Sequence, residues 1–277
     1  MHYGKFALAF KITNWCNLNC AHCCENSSPR AQQRLLSLDK IEKYLYEFKE
    51  LPYNISEYIV IGGGEGLAPY LFGNTDYIPD VLLKINSVDC ISTIKTNGVW
   101  GNNPETRKLI LGDLADVADK IGKLVTLDIS VDEFHNNIPA VANIFAEILD
   151  NEYITKAIRP TLVGFKTQGS ADAFAQLKRE LLGRGLVMCR DLFGNWCVAN
   201  TRVQIQVICD FESAIFNMGR AKKNNVATFY QGAPGLHETN CIQIDNQGRV
   251  TLNYYYREKI KDRPLKTVMN SLIYRGK

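Results

Sequence analysis

Four of the chain's nine cysteines, Cys16, Cys20, Cys23 and Cys24, fall within nine residues of the stretch "KITNWCNLNCAHCCENSSP". Cys16, Cys20 and Cys23 have the spacing C-x3-C-x2-C, and three soft thiolates on one loop can cap a single metal centre, as in iron-sulfur clusters. Cys24 is adjacent to Cys23, and neighbouring side chains rarely converge on one small cluster, so it is set aside. A structural zinc site wants four protein ligands and normally pairs two C-x2-C knuckles, which this chain does not supply. His22 lies between two of the cysteines and would be strained as a fourth ligand. The spacing therefore favours an iron-sulfur cluster with one open position, where a further ligand can be activated. A zinc-stabilised module and a non-catalytic iron-sulfur carrier or sensor are the alternatives.

Three further stretches carry candidate binding groups. In "IGGGEGL", Gly62, Gly63 and Gly64 precede Glu65. Glycines at a strand end let backbone approach a ligand closely, and the carboxylate accepts hydrogen bonds from an ammonium group. "IKTNG" places Asn97 and Gly98 in a turn after a β-branched run. In "DISVDEFHN", Ser130 and Asp132 alternate with Ile129 and Val131, so both polar side chains leave one strand face and can meet the hydroxyls of a ribose. His135 follows, either as a loop histidine with a local hydrogen bond or as a group that reaches a substrate.

The elements that must position these groups alternate regularly. "KFALAFKIT" reads as a strand, and "SLDKIEKYLYEFKEL" as a helix with Ile41, Leu45 and Phe48 at helical spacing. "EYIVIGGG", "ISTIKTNG" and "LVTLDISVD" are strands. "DYIPDVLLKIN", "NPETRKLILGDLADVADKIG" and "IPAVANIFAEILDN" are the helices that follow them, the second with Asn103 as N-cap and Pro104 at its first position. "ITKAIRPTLVGF" is a fifth strand, "SADAFAQLKRELLGRG" its helix, and "GLVMC" the expected sixth strand. Beyond Arg190 the pattern changes. "RVQIQVIC" alternates with period two, and "CIQIDNQGRVTLNYYY" reads as a hairpin turning at Asn246, Gln247 and Gly248. The expected fold is α/β, a partial (β/α)6 TIM-like barrel over residues 1–190, with a small extension containing a β-hairpin over 191–277.

Composition narrows the class. The chain has 277 residues, a formal charge of +3, and 46% apolar and 22% charged residues. With no long basic run, nothing points to nucleic acid or a membrane surface as a partner. No stretch approaches the roughly 18 apolar residues of a membrane span, and the N-terminus lacks signal-peptide features, so the expected location is cytoplasmic. In that compartment thiols stay reduced, and nine cysteines indicate metal or redox chemistry more than a disulfide framework.

"CNLNCAHC" directly after a first strand resembles the signature of the radical S-adenosylmethionine enzymes. The resemblance implies that Cys16, Cys20 and Cys23 hold a 4Fe-4S cluster whose fourth iron is chelated by S-adenosylmethionine. It further implies that Gly63, Gly64 and Glu65 hold the methionine amino group, with Gly66 where the family usually has proline. Asn97 belongs to the Thr-Asn-Gly run of the third strand, Ser130 and Asp132 to a nucleoside motif, and His22 stands where an aromatic residue often lies beside the adenine. The activity implied is reductive cleavage of S-adenosylmethionine to a 5'-deoxyadenosyl radical that takes hydrogen from a substrate, with a flavodoxin or ferredoxin as reductase. "MGRAKK" and the hairpin resemble the C-terminal extension of the peptide-modifying branch, called SPASM or twitch, which implies a ribosomally made peptide as substrate. A small metabolite is the alternative, with "YYY" (residues 254–256) lining a pocket. Cys189, Cys197, Cys209 and Cys241 are candidate ligands of an auxiliary cluster. Their spacings of 7, 11 and 31 intervening residues contain no short pair, and Leu252, Asn253 and Tyr254 stand where the family's hairpin returns to a cysteine.

Overall fold

The computed structural model describes residues 5–53, 55–213, 223–224, 239–252, 256–258 and 264–269. Along the chain these form β1 (Lys5–Thr13), α1 (Leu38–Lys49), β2 (Ile55–Gly63), α2 (Ala68–Leu71), α3 (Tyr77–Ser87) and β3 (Ile91–Thr96). There follow α4 (Pro104–Ile121), β4 (Val125–Ser130), α5 (Ile138–Asp150), α6 (Glu152–Ala157), β5 (Ile158–Phe165) and α7 (Gln168–Gly183). The remaining strands are β6 (Val187–Arg190), β7 (Trp196–Ala199), β8 (Gln204–Gln206), β9 (Ile208–Ser213), β10 (Thr239–Asp245), β11 (Val250–Leu252) and β12 (Tyr256–Glu258). Helices α3, α4 and α5 match the expected ones, and Asn103 caps α4 by accepting the Thr106 N–H, with Pro104 at its first position. Parallel strands joined by helices make this the α/β class expected of a partial TIM-like barrel.

The chain divides into two compact units. The first is Met1–Asn17, Ser27–Thr93 and Gln231–Lys277, and the second is Leu18–Asn26 and Ile94–Tyr230. Strand β3 runs from one into the other, and Cys16 belongs to the first unit whereas Cys20, Cys23 and Cys24 belong to the second.

In the first unit β1 pairs in parallel with β2 on one side and with β10 on the other. Along β1 the alternate residues Phe6, Leu8, Phe10 and Ile12 are buried, and Ile59, Ile61, Ile242 and Ile244 extend the core. Helix α1 buries Ile41, Leu45 and Phe48 at the spacing of one helical face. The expected hairpin is present as β10 and β11. Gly248 has φ +76°, and the Asp245 carboxylate accepts the N–H groups of Gln247 and Arg249. Its strand β10 also forms a parallel ladder with β1, from Lys5↔Thr239 to Lys11↔Asp245.

In the second unit β4 pairs in parallel with β5, and β5 with β9. Pro160 is tolerated inside β5 because the ladder to β9 begins only at Thr161. The sixth parallel strand is thus Ile208–Ser213, and "GLVMC" is corrected: it contributes β6 to a separate antiparallel sheet, β6-β7-β8. The cause is the turn "DLFGN". The Asp191 carboxylate accepts the N–H groups of Phe193 and Asn195, Gly194 takes φ +83°, and the chain returns antiparallel after a few residues. Strands β9 and β10 therefore bring residues beyond 191 into the two parallel ladders, in place of a tail standing apart. Residues 218–222 of the "MGRAKK" stretch and the tyrosines 254 and 255 lie outside the described residues.

Candidate functional site

The cysteine loop, residues 14–36, carries no helix, and its order comes from a few backbone bonds. The Cys16 N–H donates to the Ser28 carbonyl (3.3 Å), and Leu36 N–H to the Ile12 carbonyl (2.8 Å). The buried Tyr77 hydroxyl donates to the Leu36 carbonyl at 2.6 Å, and burial pushes its phenol up from the ordinary value. Cys23 N–H donates to the Cys20 carbonyl at 3.2 Å, closing a turn with one thiol at each end. None of the nine cysteines forms a disulfide among the described residues.

The glycines of "IGGGEGL" serve the chain itself. Gly64 N–H donates to the Thr13 carbonyl at 2.8 Å and Glu65 N–H to the Trp15 carbonyl at 3.0 Å. A Cβ on Gly64 would lie 1.9 Å from the Trp15 carbonyl oxygen, and one on Gly63, whose φ is +112°, 2.5 Å from that of Thr13. The end of β2 is therefore stitched to the residue before Cys16, a contact only glycine allows. Glu65 is fully buried, and its Oε1 accepts the Leu67 N–H at 3.0 Å. A buried carboxylate is costly unless donors or a cation meet it.

A second constellation forms in the other unit. His22 packs against Phe134 (ring centroids 4.4 Å), Phe165 (5.0 Å) and His135 (5.1 Å). The His135 Nδ1 lies 2.8 Å from both carboxylate oxygens of Asp132, whose Oδ1 also accepts the Phe134 N–H at 2.8 Å. Burial by itself raises the Asp132 carboxyl, but the hydrogen bonds from His135 and Phe134 outweigh it and hold the group below the usual carboxylate value. For His135 burial pulls the imidazole down, yet Asp132 and a hydrogen bond with Cys20 push it up to about 10. Ligand atoms of His22, Asp132 and His135 all lie within 4.8 Å of one another.

Asn97 and Ser130 are joined by a residue that their motifs do not show. The Asn137 amide nitrogen donates to the Asn97 carbonyl and, at 2.7 Å, to the Ser130 carbonyl. Two carbonyl acceptors fix which side of the amide is the nitrogen. On β4, Thr126, Asp128 and Ser130 share one face, with Asp128 opposite Thr161 in the β5 register. Burial raises the Asp128 carboxyl above its ordinary value, while Lys95 and the Thr161 hydroxyl work against that rise. The alternation of Thr126, Asp128 and Ser130 with apolar residues was the available signal for this polar face. Phe134, Phe165 and Asn137 had none. Of the four later cysteines, Cys189 and Cys197 oppose each other across β6 and β7. Cys209 lies on β9 with its thiol pushed up to about 12 by burial, and Cys241 lies on β10.

Against known proteins, the family model described as the radical SAM superfamily matches residues 10–159, more than half of the chain. The chain belongs to that superfamily, and it is an enzyme of S-adenosylmethionine-dependent radical chemistry. No curated protein matches it. Among solved structures, anSMEcpe with bound AdoMet is similar with a TM-score of 0.52 at 11% identity, over 95% of this chain and 80% of that one. Streptococcus suis SuiB bound to S-adenosylmethionine aligns with a TM-score of 0.43 at 13% identity, over 97% of this chain and 68% of that one. Among the described residues no helix is long and apolar enough to cross a membrane.

Proposed function

We propose that Cys16, Cys20 and Cys23 ligate a 4Fe-4S cluster, that S-adenosylmethionine completes it, and that the enzyme uses the pair to abstract hydrogen from a peptide. The donor set fits the cluster: three thiols outside any disulfide, on a loop tied down at both ends and free of helix. The bound group supplies one-electron chemistry, the electron coming from a flavodoxin- or ferredoxin-type donor, and the protein's task is to bind, orient and exclude water.

The observation that carries this reading is the stitch between Glu65 and Trp15. It fixes a buried carboxylate, suited to an amino acid's ammonium group, one residue from a cluster cysteine. Gly63 and Gly64 make that approach possible. Asn97, Ser130 and Asp132 are assigned to the nucleoside, and His22 to the adenine. An ionised carboxylate offers about four acceptor sites, so Asp132 can keep His135 and still accept a ribose hydroxyl. For the substrate, the resemblance of the hairpin to the peptide-modifying branch is the support. The polar face of Lys95, Asp128 and Thr161 adds donors and acceptors that suit backbone amides.

Anaerobically reconstituted protein, given dithionite and S-adenosylmethionine, is expected to form 5'-deoxyadenosine, and Cys20→Ala to abolish it. Iron uptake without any cleavage by the wild type would refute the reading. A short peptide encoded beside the gene is the substrate to try. Loss of a hydrogen pair, or deuterium uptake from heavy water, is the expected mass change.

A further inference from the structure

The ladder between β4 and β5 has two unlike faces. Leu127 and Ile129 are fully buried, and a Cβ added to Gly98 would meet Ile129 together with Val141 and Ile144 of α5, so this face lies against that helix. The other face is polar. Thr126, Asp128 and Ser130 of β4 stand in register with Arg159, Thr161 and Val163 of β5, and β9 adds Asp210 opposite Val163. Arg159 is the odd member of this wall. Its Nη2 donates to the Thr126 hydroxyl at 3.3 Å, and its Nε is buried with no acceptor among the described residues. Arg107, Arg184 and Arg249 each hold a carboxylate, whereas among the described residues none pairs with Arg159. A guanidinium cannot shed its charge, and withdrawing it from water without a counter-ion costs stability.

We propose that Arg159, with the Thr126 hydroxyl beside it, anchors the substrate by binding a carboxylate, either the C-terminus of the peptide or an acidic side chain. The inference rests on the peptide reading of the substrate. A guanidinium offers a planar fork of N–H donors that matches a carboxylate, Thr126 takes only one of them, and the hydroxyl keeps its own O–H to donate. A singly charged carboxylate suits the wall better than a phosphate, because Asp128 and Asp210 share the face and repel a dianion. The position separates this site from the cofactor. Arg159 lies four residues before Val163, the register partner of Ser130, which is about 13 Å along the strand at about 3.3 Å per residue. The nucleoside assigned to Ser130 is therefore bound at the other end of the wall. An extended peptide spans that distance in about four residues, so the hydrogen removed belongs to a residue about four positions from the anchored carboxylate.

The test is calorimetric titration of the anaerobically reconstituted full chain, without S-adenosylmethionine, against N-acetyl-glycylglycine, its C-terminal amide, and the α-amide of N-acetylglutamate, whose only carboxylate is on the side chain. The wild type is expected to bind at least one acid about tenfold more tightly than the neutral amide, and the tighter acid identifies the source of the carboxylate. Arg159→Met keeps the stem and removes the charge. It is expected to lose the preference while its urea midpoint holds or rises, because an incompletely paired charge has left the interior. Arg159→Lys is expected to keep part of the preference, since the point charge stays and the fork is lost. Thr126→Val is expected to weaken it about threefold, and it carries the test if the methionine variant does not fold. A wild type that does not distinguish acid from amide, or a preference unchanged in every variant that folds, would overturn the proposal. Inorganic phosphate binding more tightly than either acid would overturn the carboxylate assignment. An acid preference in an enzyme that modifies no peptide would refute the peptide reading and support Arg159 as a carboxylate site.

Discussion

The end of β2 and the loop between β4 and α5 each carry residues assigned to the cofactor, and they are built by opposite means. At the end of β2 the main chain does the positioning: two N–H groups reach the Thr13 and Trp15 carbonyls, and glycines permit the contact. In the β4–α5 loop side chains do it. Asp132 holds His135, and Asn137 ties the Asn97 and Ser130 carbonyls together from the residue just before α5. A main-chain joint tolerates almost any side chain except where a Cβ would collide, so it leaves a glycine signature. A side-chain joint depends on particular polar groups, whose role shows only in three dimensions.

The comparison breaks first at Gly64. Gly64→Ala puts a methyl group where the Trp15 carbonyl oxygen stands at 1.9 Å, and backbone on both sides must move. A loss of about 3 kcal/mol, at the upper end for overpacking, is expected in urea unfolding, together with impaired iron uptake. Unchanged stability would mean that the stitch is not made.

Asn137 is the corresponding test of the side-chain joint. Asn137→Ala leaves two carbonyls without their donor, for an expected loss of about 2 kcal/mol. Asn137→Asp is expected to be at least as damaging, because it sets an acceptor against two acceptors. An aspartate variant as stable as the wild type would contradict the hydrogen-bond assignment. A smaller effect is expected at Tyr77, whose hydroxyl anchors the exit of the cysteine loop. Tyr77→Phe orphans one buried carbonyl, at about 1 kcal/mol, and thermal unfolding should register it.

The same contrast explains what could be read from the sequence. The C-x3-C-x2-C spacing, the glycines before Glu65 and the alternation of Ser130 and Asp132 are local patterns, and local patterns survive in one dimension. The pairing of His135 with Asp132 is only three residues apart, yet "DEFHN" is equally consistent with a solvated loop. Asn137 looked like one more polar residue before a helix. The sixth parallel strand was misplaced because "GLVMC" and "QVIC" are both short apolar runs. What separates them is the Asp191 turn, which commits β6 to an antiparallel partner. The ladder between β10 and β1 joins residues more than 200 positions apart, and no local period encodes it.

The central claim is that a cofactor amino acid held at Glu65 and a cluster held by the cysteine loop act as one site. Electron paramagnetic resonance of the reduced, reconstituted protein, recorded with and without S-adenosylmethionine, tests it most directly. The cluster signal is expected to change when S-adenosylmethionine is added to the wild type, and to change far less in Glu65→Gln at the same concentration. A reduced cluster whose spectrum is indifferent to S-adenosylmethionine in the wild type would contradict the account.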